Sequence, residues 1–189
     1  METRTETWKD SIGADLDRIL FTEEQIKQKV VEIGREITRD YRGRRPLLVG
    51  ILNGCFPFIA DLARSIREYV EVDFMSVSSY GGGLQSGGVV RILKDLNQGI
   101  QGRNVILVED IIDTGLTARY LLDNLLTRRP ASLELCALLD KSEARAEVVP
   151  IRYVGFECPH EFVVGYGLDY NGLYRNLPCV GVLKPEAMG

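Results

Sequence analysis

Three carboxylates and two hydroxyls crowd into one short stretch, at Glu109, Asp110, Asp113, Thr114 and Thr117, with Gly115 between the threonines. The second half of that stretch suits an anion. In a turn, the backbone N–H groups of Thr114, Gly115, Leu116 and Thr117 point outward, and Gly115 allows a ligand to come close. The first half suits the opposite charge, since Glu109 and Asp110 as carboxylates accept hydrogen bonds and meet a hard cation such as Mg2+. A phosphorylated sugar answers both needs. Its phosphate fills the turn, its vicinal hydroxyls donate to the acids, and a magnesium-bound polyphosphate supplies the cation. Asp113 is then left for proton transfer. The competing reading is a loop whose acids are merely solvated. It is the weaker one, because acids beside an anion cradle are unfavourable unless a cation or donors compensate. Neither G-x-x-x-x-G-K-[ST] nor a strand-bound G-x-G-x-x-G occurs.

Positioning these groups requires a strand before them and a helix after them. Val105 to Val108 is a short apolar run that reads as a buried strand, with Glu109 and Asp110 emerging at its carboxyl end, and Leu116 to Arg128 reads as a helix. The same alternation recurs on both sides. Thr22 and Gln25 form a capping box for a helix carrying Ile26, Val30, Ile33 and Ile37 at helical spacing to about Tyr41. Leu47 to Leu52 predicts a strand that ends in an Asn53-Gly54 turn, and Phe56 to Tyr69 a helix. Val70 to Ser79, Val89 to Leu93 and Leu133 to Leu139 predict further strands, with a glycine-rich connection between Tyr80 and Gly88. Strands alternating with helices imply an α/β fold, an open and mostly parallel sheet flanked by helices. On such sheets ligands bind at the carboxyl ends of the strands, where both Leu52-Asn53-Gly54 and Glu109-Asp110 fall.

With 189 residues, 45% hydrophobic and 26% charged, the chain suits one globular domain over 1–189. The net charge of -4 argues against a general nucleic-acid binder. The cysteines at 55, 136, 158 and 179 are scattered without a C-x-x-C pair and read as buried free thiols. No apolar run is long enough to cross a membrane. The charged N-terminal segment lacks the apolar core of a signal peptide, so a reducing cytoplasm is the expected compartment.

Val108-Glu109-Asp110-Ile111-Ile112-Asp113-Thr114-Gly115 resembles the phosphoribosyl-diphosphate (PRPP) signature of phosphoribosyltransferases, in the form found in the hypoxanthine-guanine branch. The resemblance runs from about Leu16 to Leu183. It implies a type I phosphoribosyltransferase fold, with a core of about 40–150 and a small hood from about 1–40 and 151–189. It implies purine salvage: hypoxanthine or guanine plus PRPP yields IMP or GMP plus pyrophosphate, with Mg2+ and with Asp113 as general base.

Glu109 and Asp110 are then implied to hold the ribose hydroxyls, and the 113–117 turn the 5-phosphate. Leu52-Asn53-Gly54 is similar to the family's pyrophosphate loop, in which an often cis, non-proline peptide turns an amide toward the diphosphate, with Arg175 nearby. Ser79-Tyr80 and the glycines after it resemble the mobile lid that keeps water from the reacting ribose. Lys141 corresponds to the lysine that donates to a purine 6-oxo group. Its ammonium has donors only, so it leaves adenine's amino group unmatched. Phe162 corresponds to the aromatic that stacks on the purine, Val163 to a residue offering backbone contacts to the base, and Asp169 to a magnesium ligand beside the purine site. Metal contacts are expected at Glu109, Asp110 and Asp169, and a homo-oligomer, dimer or tetramer, is what the family suggests. A regulator that keeps this fold but binds RNA or DNA is the competing class, and it calls for a basic face that the acidic composition does not suggest. An enzyme preferring xanthine also stays open.

Overall fold

The computed structural model describes residues 8–79 and 90–188. Its chain order is β1 (Leu16–Phe21), α1 (Glu23–Asp40), β2 (Leu47–Leu52), α2 (Phe56–Ser65), β3 (Glu71–Ser79), β4 (Val90–Lys94), β5 (Asn104–Ile112), α3 (Leu116–Leu126), β6 (Ser132–Asp140), β7 (Tyr153–Glu157), β8 (Val163–Val164) and β9 (Val180–Leu183). Six strands form the main sheet in the order β4-β3-β2-β5-β6-β7, and β1-β9-β8 form a second, small sheet. Within the main sheet only β4 runs antiparallel to its neighbour. The expected open, mostly parallel sheet is therefore present.

Continuous apolar strands are what a sheet covered on both faces demands. Leu48, Ile106, Val108, Cys136 and Leu138 pack on one face with Ile26, Val30, Ile33 and Ile37 of α1 and Phe58, Ile59 and Leu62 of α2. Leu47, Val49, Ile51, Val105 and Leu107 pack on the other face with Leu121, Leu122 and Leu125 of α3. Adjacent residues of each strand thus point to opposite layers.

Helix α1 begins as its sequence requires. Thr22 Oγ1 accepts from Gln25 N at 3.3 Å, and Gln25 Oε1 accepts from Thr22 N at 2.8 Å. Several boundaries differ from expectation. Helix α2 stops at Ser65 rather than near Tyr69, because Ile66 turns extended and the Arg67 N–H is taken by Thr38 Oγ1 of α1 at 3.0 Å. The N-terminal helix lies in the main core with α2 and not in a hood. The main sheet also extends past 150, since β7 pairs in parallel with β6 from Cys136↔Tyr153 to Asp140↔Glu157. The small sheet is assembled instead from the two ends of the chain. Leu16 pairs with Leu183 and Phe21 with Val180, antiparallel, while β8 pairs on the far side of β9.

The most consequential difference is in β5, which continues through Ile112 rather than stopping at Val108. Pairing with β6 carries it that far, to Ile112↔Asp140, whereas its pairing with β2 ends at Gly50↔Val108. Glu109 to Ile112 therefore form a strand paired on one side only. Its open side borders the crevice at which the chain has switched from building toward β3 to building toward β6. Such a switch point is where sheets of this order bind ligands.

Candidate active site at the β2–β5 crevice

Because Glu109 and Asp110 are consecutive strand residues, their side chains leave β5 in opposite directions. Glu109 joins the α3 side, where with Asp113, Thr114, Gly115 and Thr117 it lines a cavity of about 110 Å3. Asp110 lies on the other side, so close to the turn after β2 that a Cβ on Gly54 would collide with its carboxylate. The two carboxyls thus reach the crevice from different sides of β5.

Both carboxyls are driven toward the neutral form. Burial raises the Glu109 pKa well above its ordinary value, and the neighbouring Asp110 charge adds to it. Burial likewise raises Asp110, to about 6, against the lowering effect of hydrogen bonds from the backbone N–H groups of Ile111 and of Asp110 itself. Arg175 pulls it down further and Asp169 pushes it up. Two adjacent acids perturbed in this way at a strand end mark a candidate functional site.

Gly115 caps α3 in the left-handed region (φ +83°), and the helix has no side-chain cap. Leu116 N reaches only Thr114 Oγ1, at 3.5 Å. The positive end of α3 thus opens onto the cavity, with the Thr114 and Thr117 hydroxyls on its rim.

The Leu52-Asn53 peptide is cis. Across the turn that follows, a Cβ on Gly167 would collide with the Gly54 carbonyl oxygen, so the tail passes directly over this turn. Arg175 fixes that passage, donating from one guanidinium nitrogen to Gly167 O at 2.6 Å and meeting Asp169 Oδ1 from the other, also at 2.6 Å. Asp169 Oδ2 accepts from Gly172 N at 2.7 Å. Tyr166 anchors the same segment to α2 through a 2.6 Å hydrogen bond to Asp61. Composition gave no signal for Tyr166 or Gly167. The spacing of Gly165 and Gly167 around a tyrosine was the only trace, and all three residues adopt positive φ.

At the end of β6, Lys141 is 92% buried (8% exposed), and its backbone N–H donates to Ile112 O at 3.0 Å. Its ammonium stands 3.6 Å from Asp113 Oδ2, and the Asp113 side chain is half exposed. Phe162 is exposed and meets Tyr170 edge to face at 5.6 Å, while its carbonyl accepts from Leu183 N at 3.2 Å. Val163 opens β8 opposite Val182. Ser79 is the last residue of β3, paired with Val90, and Tyr80 lies outside the described residues. A wider cleft of about 540 Å3 lies between Asp40, Arg44, Ser132 and Arg152. It sits at the amino ends of the strands and is closed on itself by the Asp40–Arg152 ion pair at 3.0 Å. All four cysteines are free and buried. Among the described residues no helix is long and apolar enough to cross a membrane.

Comparison with known proteins agrees with this geometry. A phosphoribosyl transferase domain model matches residues 19–171. The hypoxanthine-guanine phosphoribosyltransferase of Streptococcus thermophilus is 51% identical over 172 residues, covering 91% of this chain and 96% of that protein. The bifunctional protein TilS/HprT of Listeria innocua is 50% identical over 97% of this chain, which spans only 28% of that longer relative. A crystal structure of a hypoxanthine phosphoribosyltransferase from Staphylococcus aureus has a TM-score of 0.92 at 44% identity, covering 98% of this chain and 100% of that one. The strand order, the turn at the head of α3 and relatives at half identity over nearly the whole length converge: the chain belongs to the phosphoribosyl transferase family, on its hypoxanthine-guanine branch.

Proposed function

We propose that the chain is a purine-salvage transferase. It converts hypoxanthine, guanine or both, with PRPP, to IMP or GMP and pyrophosphate. One observation carries the reading: the open N-terminus of α3 and a buried ammonium flank the same carboxylate, Asp113. An anion cradle on one side and a donor-only group on the other span a 5-phosphate and a 6-oxopurine.

The 5-phosphate rests on the backbone N–H groups at 114–117 and on the threonine hydroxyls. Glu109 and Asp110 approach the ribose and diphosphate from opposite sides of the crevice, and the turn at Asn53-Gly54 offers its amides to the diphosphate. Lys141 donates to the 6-oxo group, Phe162 stacks on the base, and the Val163 backbone reads its far edge. Asp113 takes or steadies the proton at the purine nitrogen that attacks the ribose. Ser79 and Tyr80 belong to the lid in this reading.

The residues present fit magnesium as a companion of the substrate. Among the described residues no three His, Cys, Asp or Glu side chains cluster as a cage. The nearby acids, Asp110 and Asp169, are single carboxylates close enough to feel one another's charge. Magnesium characteristically takes one or two carboxylates together with substrate phosphates. Asp169 and Asp110 would hold it, and when bound it would stabilise the charge on the departing pyrophosphate. Four buried free thiols support a reducing cytoplasm as the working compartment. A homodimer or homotetramer is the assembly that the family resemblance favours.

Purified protein with PRPP and Mg2+ is to be offered hypoxanthine, guanine, xanthine and adenine in turn. Nucleotide from the first two is expected. Nucleotide from none of the 6-oxopurines would refute the proposal, and xanthine as the best substrate would redirect it.

A further inference from the structure

The loop that follows β6 makes a closed circuit with the phosphate turn, and one arginine completes it. Lys141 starts the loop, with its N–H on Ile112 O and its ammonium beside Asp113. Five residues further along the chain than Asp140, Arg145 reaches back to pair with that carboxylate, and both side chains are largely buried (13% and 19% exposed). The stem of Arg145 rests on the phosphate turn. A Cβ placed on Gly115 would lie 2.8 Å from Arg145 Cδ and 2.5 Å from the Glu147 carbonyl oxygen. The next two residues bind the turn through its backbone, since Ala146 N and Glu147 N both donate to Thr114 O, at 2.9 and 3.0 Å. The Asp140–Arg145 pair therefore links the strand end that carries Lys141 to the turn that carries Asp113, Thr114 and Gly115.

We propose that Arg145 is a positioning residue for the transferase reaction. It sets the separation between the ammonium that reads the purine and the turn that holds the ribose phosphate, so that both ends of one nucleotide are gripped together. This rests on the site reading given above. Stability is a poor explanation for the pair, because a largely buried ion pair is commonly matched or bettered by apolar residues of similar volume. Geometry is the better one. Without the guanidinium the loop keeps its backbone bonds to Thr114 and Lys141 keeps its bond to Ile112 O, but the side-chain brace between Asp140 and the Gly115 turn is lost.

The test is kinetic. Arg145→Met keeps an apolar stem on Gly115 and removes the guanidinium. It is expected to raise KM for PRPP and for hypoxanthine together, and to lower kcat/KM by roughly 10–100-fold, the scale of a small misplacement at a reacting centre. Asp140→Asn should show the same kinetic defect, and the double variant should be no worse than either single one, because the two residues act as a unit. Arg145→Lys should restore part of the loss. The double variant is also expected to recover the melting temperature lost in Asp140→Asn while keeping the raised KM values, which a purely structural pair could not do. Wild-type KM values in Arg145→Met with a lowered melting temperature would overturn the proposal, as would KM values that recover in the double variant. Thr117→Ala separates the two possible failures. If it raises KM for PRPP while the Arg145 variants stay at wild type, the coupling alone is wrong. If it leaves that KM unchanged, the phosphate-turn reading falls and the coupling with it.

Discussion

Replacing Lys141 by glutamine probes the purine end of the site most directly. The ammonium is 92% buried (8% exposed), so a donor that it gives to a 6-oxo group is a charge-assisted bond largely shielded from water. Such bonds contribute roughly 1.5–3 kcal/mol. Part of that is already committed in the free protein, where Lys141 lies 3.6 Å from Asp113. Asp113 is half exposed, however, and a pair with one solvated partner contributes at most about 1 kcal/mol. The difference leaves about 0.5–3 kcal/mol for recognition, which is roughly 2–150-fold in kcat/KM for hypoxanthine. Glutamine adds an acceptor that the ammonium lacks, so adenine should lose much less, or gain. The assay is steady-state nucleotide formation from hypoxanthine and adenine at saturating PRPP, with circular dichroism to confirm folding. If hypoxanthine loses less than about twofold, or the hypoxanthine-to-adenine ratio does not narrow, Lys141 is not the group that reads the 6-position.

Asp113→Asn should lower kcat by roughly 10²–10⁴-fold with little change in KM for PRPP, the range of a general base; full turnover would remove Asp113 from the chemistry. Gly54→Ala forces a methyl group into the Asp110 carboxylate and should reduce kcat/KM for PRPP by about 10²-fold or more, read against an unchanged far-ultraviolet spectrum. Asp73→Asn addresses pH. Burial opposes ionisation of Asp73, but the N–H groups of Asn97 and Phe74 together with Lys94 outweigh it and hold the pKa below the ordinary carboxylate value. A depressed carboxyl stabilises the fold above its unfolded-state pKa, and that contribution is lost as pH falls through the folded-state value. The variant should therefore melt lower at pH 7, by roughly 3–12 °C for a loss of 1.5–3 kcal/mol, with the gap closing below about pH 4. A gap that does not narrow at all as pH falls below about 4 would point to packing instead of charge.

Local signals carried the parallel core. The Thr22–Gln25 capping box and the 3.6-residue stripe marked α1, and the unbroken run from Leu47 to Leu52 marked β2 to the residue. What escaped depends on pairing between distant segments. The polar residues Glu109 and Asp110 ended the apolar pattern of β5, yet β6 continues to pair beyond them and keeps them in the strand. The consequence is geometric, because as consecutive strand residues the two acids leave β5 on opposite sides. Strands β1 and β9 hold each other across most of the chain, and β8 is only two residues long, too short for any periodicity to register. Arg145 gave no signal in the sequence, and its placement shows only in its ion pair with Asp140 and the contact of its stem with Gly115.

The small sheet has a mechanical consequence. Leu16 lies opposite Leu183 in antiparallel register, and just outside them Lys184 N donates to Asp15 O at 2.9 Å. The chain therefore enters β1 and leaves β9 at one corner of the small sheet. Tension drawn between them loads the β1–β9 hydrogen bonds in sequence, as a zipper is opened, and not all at once in shear. The segment carrying Phe162 and Asp169 hangs from this zipper through the β8–β9 pairing. That segment has a second hold, through Tyr166 on Asp61 of α2 and the close passage of Gly167 over Gly54, so β1 and β9 can part while it stays tied to the six-stranded sheet's own helices.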